Sequence, residues 1–475
     1  MQFGTSGIRG LYGKDVIEEL AYKIANVFAE KDVAIARDTR RTSSSLVNAA
    51  ISGILARGKN VIDLGIVPTP TLALATITHK CNGIMITASH NPEEYNGIKL
   101  FSDGKEISKE EEKKFIAKFE KGWSSGQKND SIVHMNNEHH VRSDGHACDK
   151  ICHSESGKGT KLAKWDCLGS VHQDNNAIAN HKEMIKKLVN GVTIGKKKPK
   201  VIVDANGAAT VITSQLLHEL GCEVISINAQ LLGFTRGSEP CTENLTEAIK
   251  LVKSQKADLA VTHDGDGDRC IVIDDCGEVL PLDIQLAIMI ENEMATTGEK
   301  KIISTVEASL LIREAVEKNS GTIVIGPVGS AQISHDLEKN NAIFGGEPCG
   351  EYIFATAQHH TPDGVLAAAK FVEIFVKHGK LSELKKKYPS YPMIREKFKC
   401  EKNDKYETIK KIIKDVKIKG KRNEQDGLRI DEADGWFLIR ASGTEPVIRL
   451  TMEYKNRKKL EERAKELREI ICRII

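Results

Sequence analysis

The sequence predicts an α/β protein of four domains: three similar mixed-sheet α/β units, then a C-terminal α+β domain closing as a lid over a central cleft. Three observations carry this. At 475 residues the chain is too long for one hydrophobic core, since domains usually run about 100–200 residues. Short β-branched runs alternate with longer amphipathic stretches, and the alternation restarts at Lys200 and again at Lys301. From about Tyr391 strands are grouped apart from their flanking helices, the mark of an α+β unit.

The first unit, 1–123, reads as strands at VAIAR (33–37), NVIDLG from Asn60 and GIMITAS (83–89), separated by helical patterns such as SSLVNAAISGILARG. The second, 165–280, contains KVIVDANGAA, CEVISINAQ and DLAVTHDGDGD. The third, 281–390, contains KIISTVEAS, GTIVIGPVG and AIFGGEPCG. The last, 391–475, opens on YPMIREKF, continues through a Lys-rich helix and the strands of GLRIDEADGWFLIRAS and VIRLTMEYK, and ends in a charged helix. Between the first two units, 124–164 is polar and aperiodic, which predicts a solvated insertion or linker. It carries His134, His139, His140, His146, His153, Cys148 and Cys152, a zinc-compatible set, but without the tight spacing of a zinc finger, so no metal is assigned there.

Composition narrows function. Hydrophobic residues are 40% and charged residues 28%, as in an ordinary globular protein. A net charge of +3 is too balanced for a nucleic-acid partner, and 5% aromatic residues argues against a single-strand stacking surface. Any anionic ligand is expected to be small. Eleven scattered cysteines with no CxxC pair fit a reducing cytoplasm. Neither a leader-like N-terminus nor an apolar run of about 18–20 residues is evident, so no membrane association is expected.

Three strand-like runs end in polar, Gly-containing turns, where α/β sheets present ligand groups. The first holds Ser89, a candidate nucleophile, with His90 beside it and Lys99 ten residues on; Ser-His-Asn-Pro is equally a good turn and N-cap sequence. The second places Asp264, Asp266 and Asp268 around two glycines, so that three carboxylates can converge on one hard cation. An EF-hand does not fit: counting from Asp264, Arg269 stands at position 6 where the loop needs Gly, and position 12 is Asp275 where it takes a bidentate Glu. Mg²⁺ fits better. The third turn, Arg440-Ala441-Ser442-Gly443-Thr444-Glu445-Pro446 with Arg449 beyond it, offers amides, hydroxyls and guanidinium groups to a phosphate. A further turn, Gly346–Glu351, reads by itself as a surface turn, or as one whose carboxylate takes hydrogen bonds from sugar hydroxyls. Together they point to phosphoryl transfer on a phosphorylated polyol or sugar.

FGTSGIRG, ITASHNPEEYNGIK, THDGDGDR, FGGEPCGEY and RASGTEPVIR, in that order, closely resemble the α-D-phosphohexomutase superfamily of phosphoglucomutases, phosphomannomutases and phosphoglucosamine mutases. The resemblance covers the chain except 124–164. It implies a phosphoserine at Ser89, and one Mg²⁺ per active site held by Asp264, Asp266, Asp268 and the Ser89 phosphate. It further implies Lys99, His90 and Arg269 as acid/base candidates, with Arg9 by the phosphoserine. Glu347 and Cys349 fall where the family contacts sugar hydroxyls, and Arg440, Ser442, Gly443, Thr444 and Arg449 where it holds the distal phosphate. A hexose 1,6-bisphosphate would be the intermediate and activator, and a sugar phosphate the small-molecule partner. Cys349 stands where many relatives have Ser, and the Gly326–Ser330 loop lacks a basic residue that several carry; both features look most like the archaeal-type phosphoglucosamine mutase branch. The expected reaction is therefore glucosamine 6-phosphate to glucosamine 1-phosphate, with phosphomannomutase or phosphoglucomutase as the alternative. A metal-dependent sugar phosphatase would not need the cradle at Arg440, and a non-catalytic sugar-phosphate binder would not need both Ser89 and the aspartates.

Overall fold

The structure is a computed structural model that describes residues 7–124, 169–400, 405–442 and 446–475. The expectations for 124–164 lie, beyond Ser124 itself, outside the described residues, as do those for Gly443 and Thr444. Four sheets succeed one another along the chain.

The first sheet contains β1 (Ile8–Leu11), β2 (Val33–Arg37), β3 (Val61–Ile66), β4 (Asn82–Ile86), β5 (Tyr95–Ser102), β6 (Lys105–Glu106) and β7 (Val171–Gln173), in the order β1-β5-β4-β2-β3-β7, with β6 beside β5. Strands β4, β2, β3 and β7 run parallel, while β5 returns antiparallel to β4 and β1. The boundary expected at 165 thus falls ahead of a strand that joins the first sheet, where Val61 faces Val171. Periodicity missed it because β7 is three residues long and exposed throughout.

The second sheet has β8 (Lys200–Asp204), β9 (Glu223–Ile227), β10 (Leu259–Thr262) and β11 (Ile271–Ile273), ordered β11-β10-β8-β9. The third has β12 (Lys301–Thr305), β13 (Thr322–Gly326), β14 (Phe344–Glu347) and β15 (Glu351–Phe354), ordered β13-β12-β14-β15. In each, parallel strands end in one antiparallel pair. Buried, near-continuous apolar strands such as LAVT and KIIST reflect helices on both faces. One apolar cluster runs from Val201 and Val261 of the second unit to Phe344 and Phe371 of the third, joining the two.

The last unit is fully antiparallel: β16 (Met393–Lys399), β17 (Lys421–Asn423), β18 (Leu428–Asp431), β19 (Gly435–Ala441) and β20 (Val447–Tyr454), ordered β16-β20-β19-β18-β17. Helices Lys405–Asp415 and Arg457–Ile474 bury their apolar stripes on it. It docks on the third unit through Trp436 and Leu438 against Val306 and Leu310. Arg429, stacked 4.1 Å from the Trp436 ring, donates to the carbonyls of Val306 and Ala308.

One rule relates all four sheets to chemistry. Each motif loop joins two adjacent antiparallel strands: β4 to β5, β10 to β11, β14 to β15 and β19 to β20. Among the described residues no helix is long and apolar enough to cross a membrane.

Candidate active site

The buried strand β4 delivers Thr87-Ala88-Ser89 to the start of its loop. Ser89 adopts φ +50°, a left-handed conformation that costs a non-Gly residue about 1–2 kcal/mol. Its surroundings hold it there. The Thr87 hydroxyl accepts the Ser89 N–H at 2.8 Å and donates to Asp38 Oδ2 at 2.7 Å. Ser89 Oγ donates to Asp264 Oδ2 at 2.7 Å, and His90 Nδ1 lies 3.3 Å from the same oxygen. Adjacency in sequence left the His90 geometry open; the fold sets the ring beside the hydroxyl. Burial, reinforced by Arg269 and Arg9, pushes the imidazole down to about 2, so it is neutral.

Between β10 and β11, Asp264, Asp266 and Asp268 present oxygens within 4.8 Å of one another, all buried. Asp266 Oδ2 accepts from Thr69 Oγ1 (2.7 Å) and Lys99 Nζ (2.8 Å); Lys99 also reaches Asp268 Oδ2 at 2.9 Å. The Thr69 N–H additionally donates to the Asp266 carbonyl, so the first unit grips this loop by side chain and backbone. Burial and like charge raise Asp264 well above the usual carboxylate range and Asp268 to about 6. For Asp266 burial acts the same way, but Lys99 outweighs it and holds that carboxyl low. Lys99, despite burial, is raised by the two carboxylates and stays a cation.

Asp266 Oδ1 and Asp268 Oδ1 are buried without a hydrogen-bond partner among the described residues. An all-oxygen donor set with two orphaned carboxylate oxygens fits a hard divalent cation such as Mg²⁺. Backbone packs closely around the loop. A Cβ at Gly364, where helix Gly364–His378 begins, would lie 2.3 Å from the Arg269 carbonyl oxygen and 2.8 Å from that of Gly267.

Arg9, on β1 opposite Gly97 of β5, donates to Asn91 Oδ1 at 3.3 Å, and its buried Nε has no hydrogen-bond partner among the described residues. Arg269 reaches into the third unit, donating from Nε (3.2 Å) and Nη2 (3.0 Å) to Glu351 Oε1. Despite burial, Cys349, Glu351 and the aspartates raise its guanidinium further. It keeps its proton, so its contribution here is charge and interdomain bracing rather than acid/base chemistry.

Glu347 ends β14 and Cys349 sits in the turn. Glu347 Oε1 accepts the Gly329 N–H at 2.6 Å, and Cys349 Sγ lies 3.8 Å from Oε2. Burial and Glu351 push Glu347 up to about 8, and the same causes raise the Cys349 thiol well above its ordinary value. Both groups are therefore uncharged donors near neutral pH. On the last sheet Arg440 and Arg449 face each other across β19 and β20. Like charges so placed repel, a cost that a bound anion removes. Arg440 Nη2 pairs with Glu307 Oε1 of the third unit at 2.8 Å. Ser442 is buried, its N–H donating to the Val447 carbonyl and its own carbonyl accepting from Lys405 Nζ.

Residues that sequence reasoning passed over complete the site: Asp38 and Arg40 beneath the Ser89 loop, and Thr69 on the Asp loop. A second passed-over cluster lies buried at a junction of the first three units. There His181 Nε2 meets Asp363 Oδ2 at 2.9 Å, Thr71 Oγ1 lies 2.7 Å from His181 Nδ1, and His359 Nε2 stands 3.3 Å from Asp363.

A buried serine hydroxyl hydrogen-bonded to a carboxylate cluster suited to a hard cation, with facing guanidinium groups on a separate sheet, is an arrangement suited to phosphoryl transfer. Residues 1–125, 179–277, 282–391 and 396–470 match, in turn, the alpha/beta/alpha domains I, II and III and the C-terminal domain of phosphoglucomutase/phosphomannomutase. The chain belongs to the phosphoglucomutase/phosphomannomutase family, whose members are phosphohexomutases, isomerases that act as intramolecular phosphotransferases. It is 35% identical to the probable phosphoglucosamine mutase of Methanopyrus kandleri, covering 100% of this chain and 97% of that one. It is also 35% identical to the phosphoglucosamine mutase of Methanocaldococcus jannaschii, covering 97% and 96%. The archaeal-type resemblance read from the sequence is thus borne out. Among solved structures, a phosphoglucomutase/phosphomannomutase family protein of Burkholderia thailandensis shares the fold, with TM-score 0.80 at 24% identity over 99% of this chain and 97% of that one. So does N-acetylphosphoglucosamine mutase of Aspergillus fumigatus, solved with GlcNAc-6P and magnesium, with TM-score 0.56 at 14% identity over 100% and 96%.

Proposed function

We propose that this phosphohexomutase interconverts glucosamine 6-phosphate and glucosamine 1-phosphate, with Ser89 carrying the phosphate. The observation that carries the reading is Ser89 Oγ at 2.7 Å from Asp264, a member of an all-carboxylate cluster that suits a hard divalent cation. The substrate assignment is supported by the archaeal phosphoglucosamine mutases that match the chain over nearly its whole length.

In the forward direction the sugar 1-hydroxyl attacks the phosphorus of phosphoserine. The new P–O bond forms as the bond to Ser89 Oγ breaks; a base takes the proton of the attacking hydroxyl, and Ser89 Oγ, the leaving oxygen, ends the step protonated. His90 Nδ1, 3.3 Å from Oγ, lies beside that leaving oxygen, while Lys99 remains a cation. Mg²⁺ bound by Asp264, Asp266 and Asp268 would neutralise charge on the transferring phosphoryl group. Arg9 stands by that phosphate. Arg440, Arg449 and the 442–444 turn hold whichever phosphate is idle, and Glu347 and Cys349 donate to sugar oxygens. The resulting 1,6-bisphosphate turns over in the cleft and returns its 6-phosphate to Ser89, regenerating the enzyme.

The test pairs chemistry with specificity. Intact-mass analysis is expected to find one phosphate on Ser89, and Ser89→Ala to lose turnover by several orders of magnitude; normal turnover of this variant rejects the phosphoserine route. Glucosamine, mannose and glucose 1- and 6-phosphates, compared by kcat/KM, decide the substrate, and release of free phosphate in place of the isomer identifies a phosphatase.

A further inference from the structure

We infer that Arg40 is a positioning residue for the phosphoryl-transfer step, acting through the backbone of the Ser89 loop. The inference rests on the reading of Ser89 as the phosphorylated nucleophile. Arg40 is fully buried, and among the described residues its side chain hydrogen-bonds only to the loop and to Asp38. Its Nη2 donates to the carbonyls of Ser89 (2.8 Å) and Asn91 (2.7 Å), and its Nη1 to those of Pro92 (2.5 Å) and Tyr95 (2.9 Å). Its Nε and backbone N–H both bond to Asp38, whose Oδ2 also receives the Thr87 hydroxyl that caps the Ser89 N–H.

A second element closes the grip from the other domain. Ser238 Oγ lies 2.7 Å from the His90 carbonyl and 2.5 Å from that of Asn91, and the Phe234 ring covers the Arg40 guanidinium at 4.9 Å. Gly233 anchors this segment by donating to the Thr39 carbonyl at 2.7 Å. Every carbonyl from Ser89 to Pro92 is therefore engaged by Arg40 or Ser238. The planar fork of a guanidinium can serve four carbonyls and a carboxylate at once; a lysine, with three donors on one nitrogen, cannot. The strained φ of Ser89 is what this bonding maintains, and it sets the direction in which Oγ meets the phosphoryl group.

The experiment uses full-length Arg40→Lys and Ser238→Ala, with kcat and KM for glucosamine 6-phosphate, Mn²⁺ binding by calorimetry, and melting temperature. Arg40→Lys is expected to lower kcat about 100-fold and Ser238→Ala about tenfold, with KM and Mn²⁺ affinity within about threefold of wild type, as misorientation without lost binding requires. Ser238→Ala leaves the buried Arg40–Asp38 pair in place and decides the matter should Arg40→Lys not fold. A kcat near wild type in a folded variant, or a loss that follows KM or the unfolded fraction, overturns the inference. Full activity of Ser89→Ala would instead sink the phosphoserine reading, so the two failures are distinct.

Discussion

Ser89 Oγ donates to Asp264 Oδ2 across 2.7 Å, although 175 positions separate the two residues and each belongs to a different sheet. The Ser89 hydroxyl and the three-aspartate cluster are therefore one unit, and what disturbs either is felt by both.

Chelation is expected to abolish turnover, and added Mg²⁺ to restore it and raise the melting temperature, because a cation that binds only the folded cluster stabilises it. Affinity should also depend on pH. Asp268 is raised to about 6, and ligation requires the deprotonated form, so Mg²⁺ binding weakens as pH falls through 6. Calorimetric titrations at pH 5.5 and 7.5 giving equal affinity would contradict this.

Glu347 gives a second pH signature with a definite sign. Its folded value of about 8 lies above that of an unfolded glutamate, about 4.3, so between those limits the folded chain holds a proton that the unfolded chain has released. Its contribution to stability is present below that window and is lost as pH rises through 8. Glu347→Gln, which stays neutral, should raise the melting temperature relative to wild type more at pH 8.5 than at pH 5.

Removing Glu351 tests the brace between the second and third units. Its pair with Arg269 is largely buried, with side-chain exposures of 13% and 10% for Arg269 and Glu351. Leaving a buried guanidinium unpartnered costs about 3–5 kcal/mol. Glu351→Ala should show that loss in a urea midpoint, whereas Glu351→Gln, which retains an acceptor, should lose less.

Arg440→Ala should act on binding. Losing one charge-assisted contact to a phosphate, worth roughly 2 kcal/mol, predicts about a 30-fold fall in kcat/KM. Steady-state kinetics should place most of it in KM. Arg440 now pairs with Glu307 at 2.8 Å, so phosphate must displace an existing ion pair.

Much of this was legible in the sequence because strand, turn and charge coincide. The GIMITAS and DLAVTHDGDGD runs place their strands, and Ser89 and Asp264 follow within three residues of the strand ends. What stayed hidden shows the same grammar without an obvious reagent. VAIAR runs straight into Asp38-Thr39-Arg40, a strand ending in a polar turn, yet nothing local says that the guanidinium turns inward to serve a loop fifty residues away. Thr69 is harder still, since a threonine before a proline reads as a helix start, and its bond to Asp266 spans 197 positions. β7 was invisible because an exposed three-residue strand has no apolar period, and its identity depends wholly on pairing with β3. For Cys349, the sequence shows only a thiol where many relatives carry Ser; the fold places it beside Glu347, both protonated near neutrality, so that turn has two donors.

The start of the helix at Gly364 has a consequence for how genetic variation in this protein would be interpreted. A single added methyl group there, nearly a hundred positions from Asp268 and without any charge or reactivity of its own, would press on the carbonyls of Gly267 and Arg269. A clinician or breeder meeting such an allele would see a conservative change in a remote helix. The molecule would register it as a displacement of the loop that carries Asp266 and Asp268.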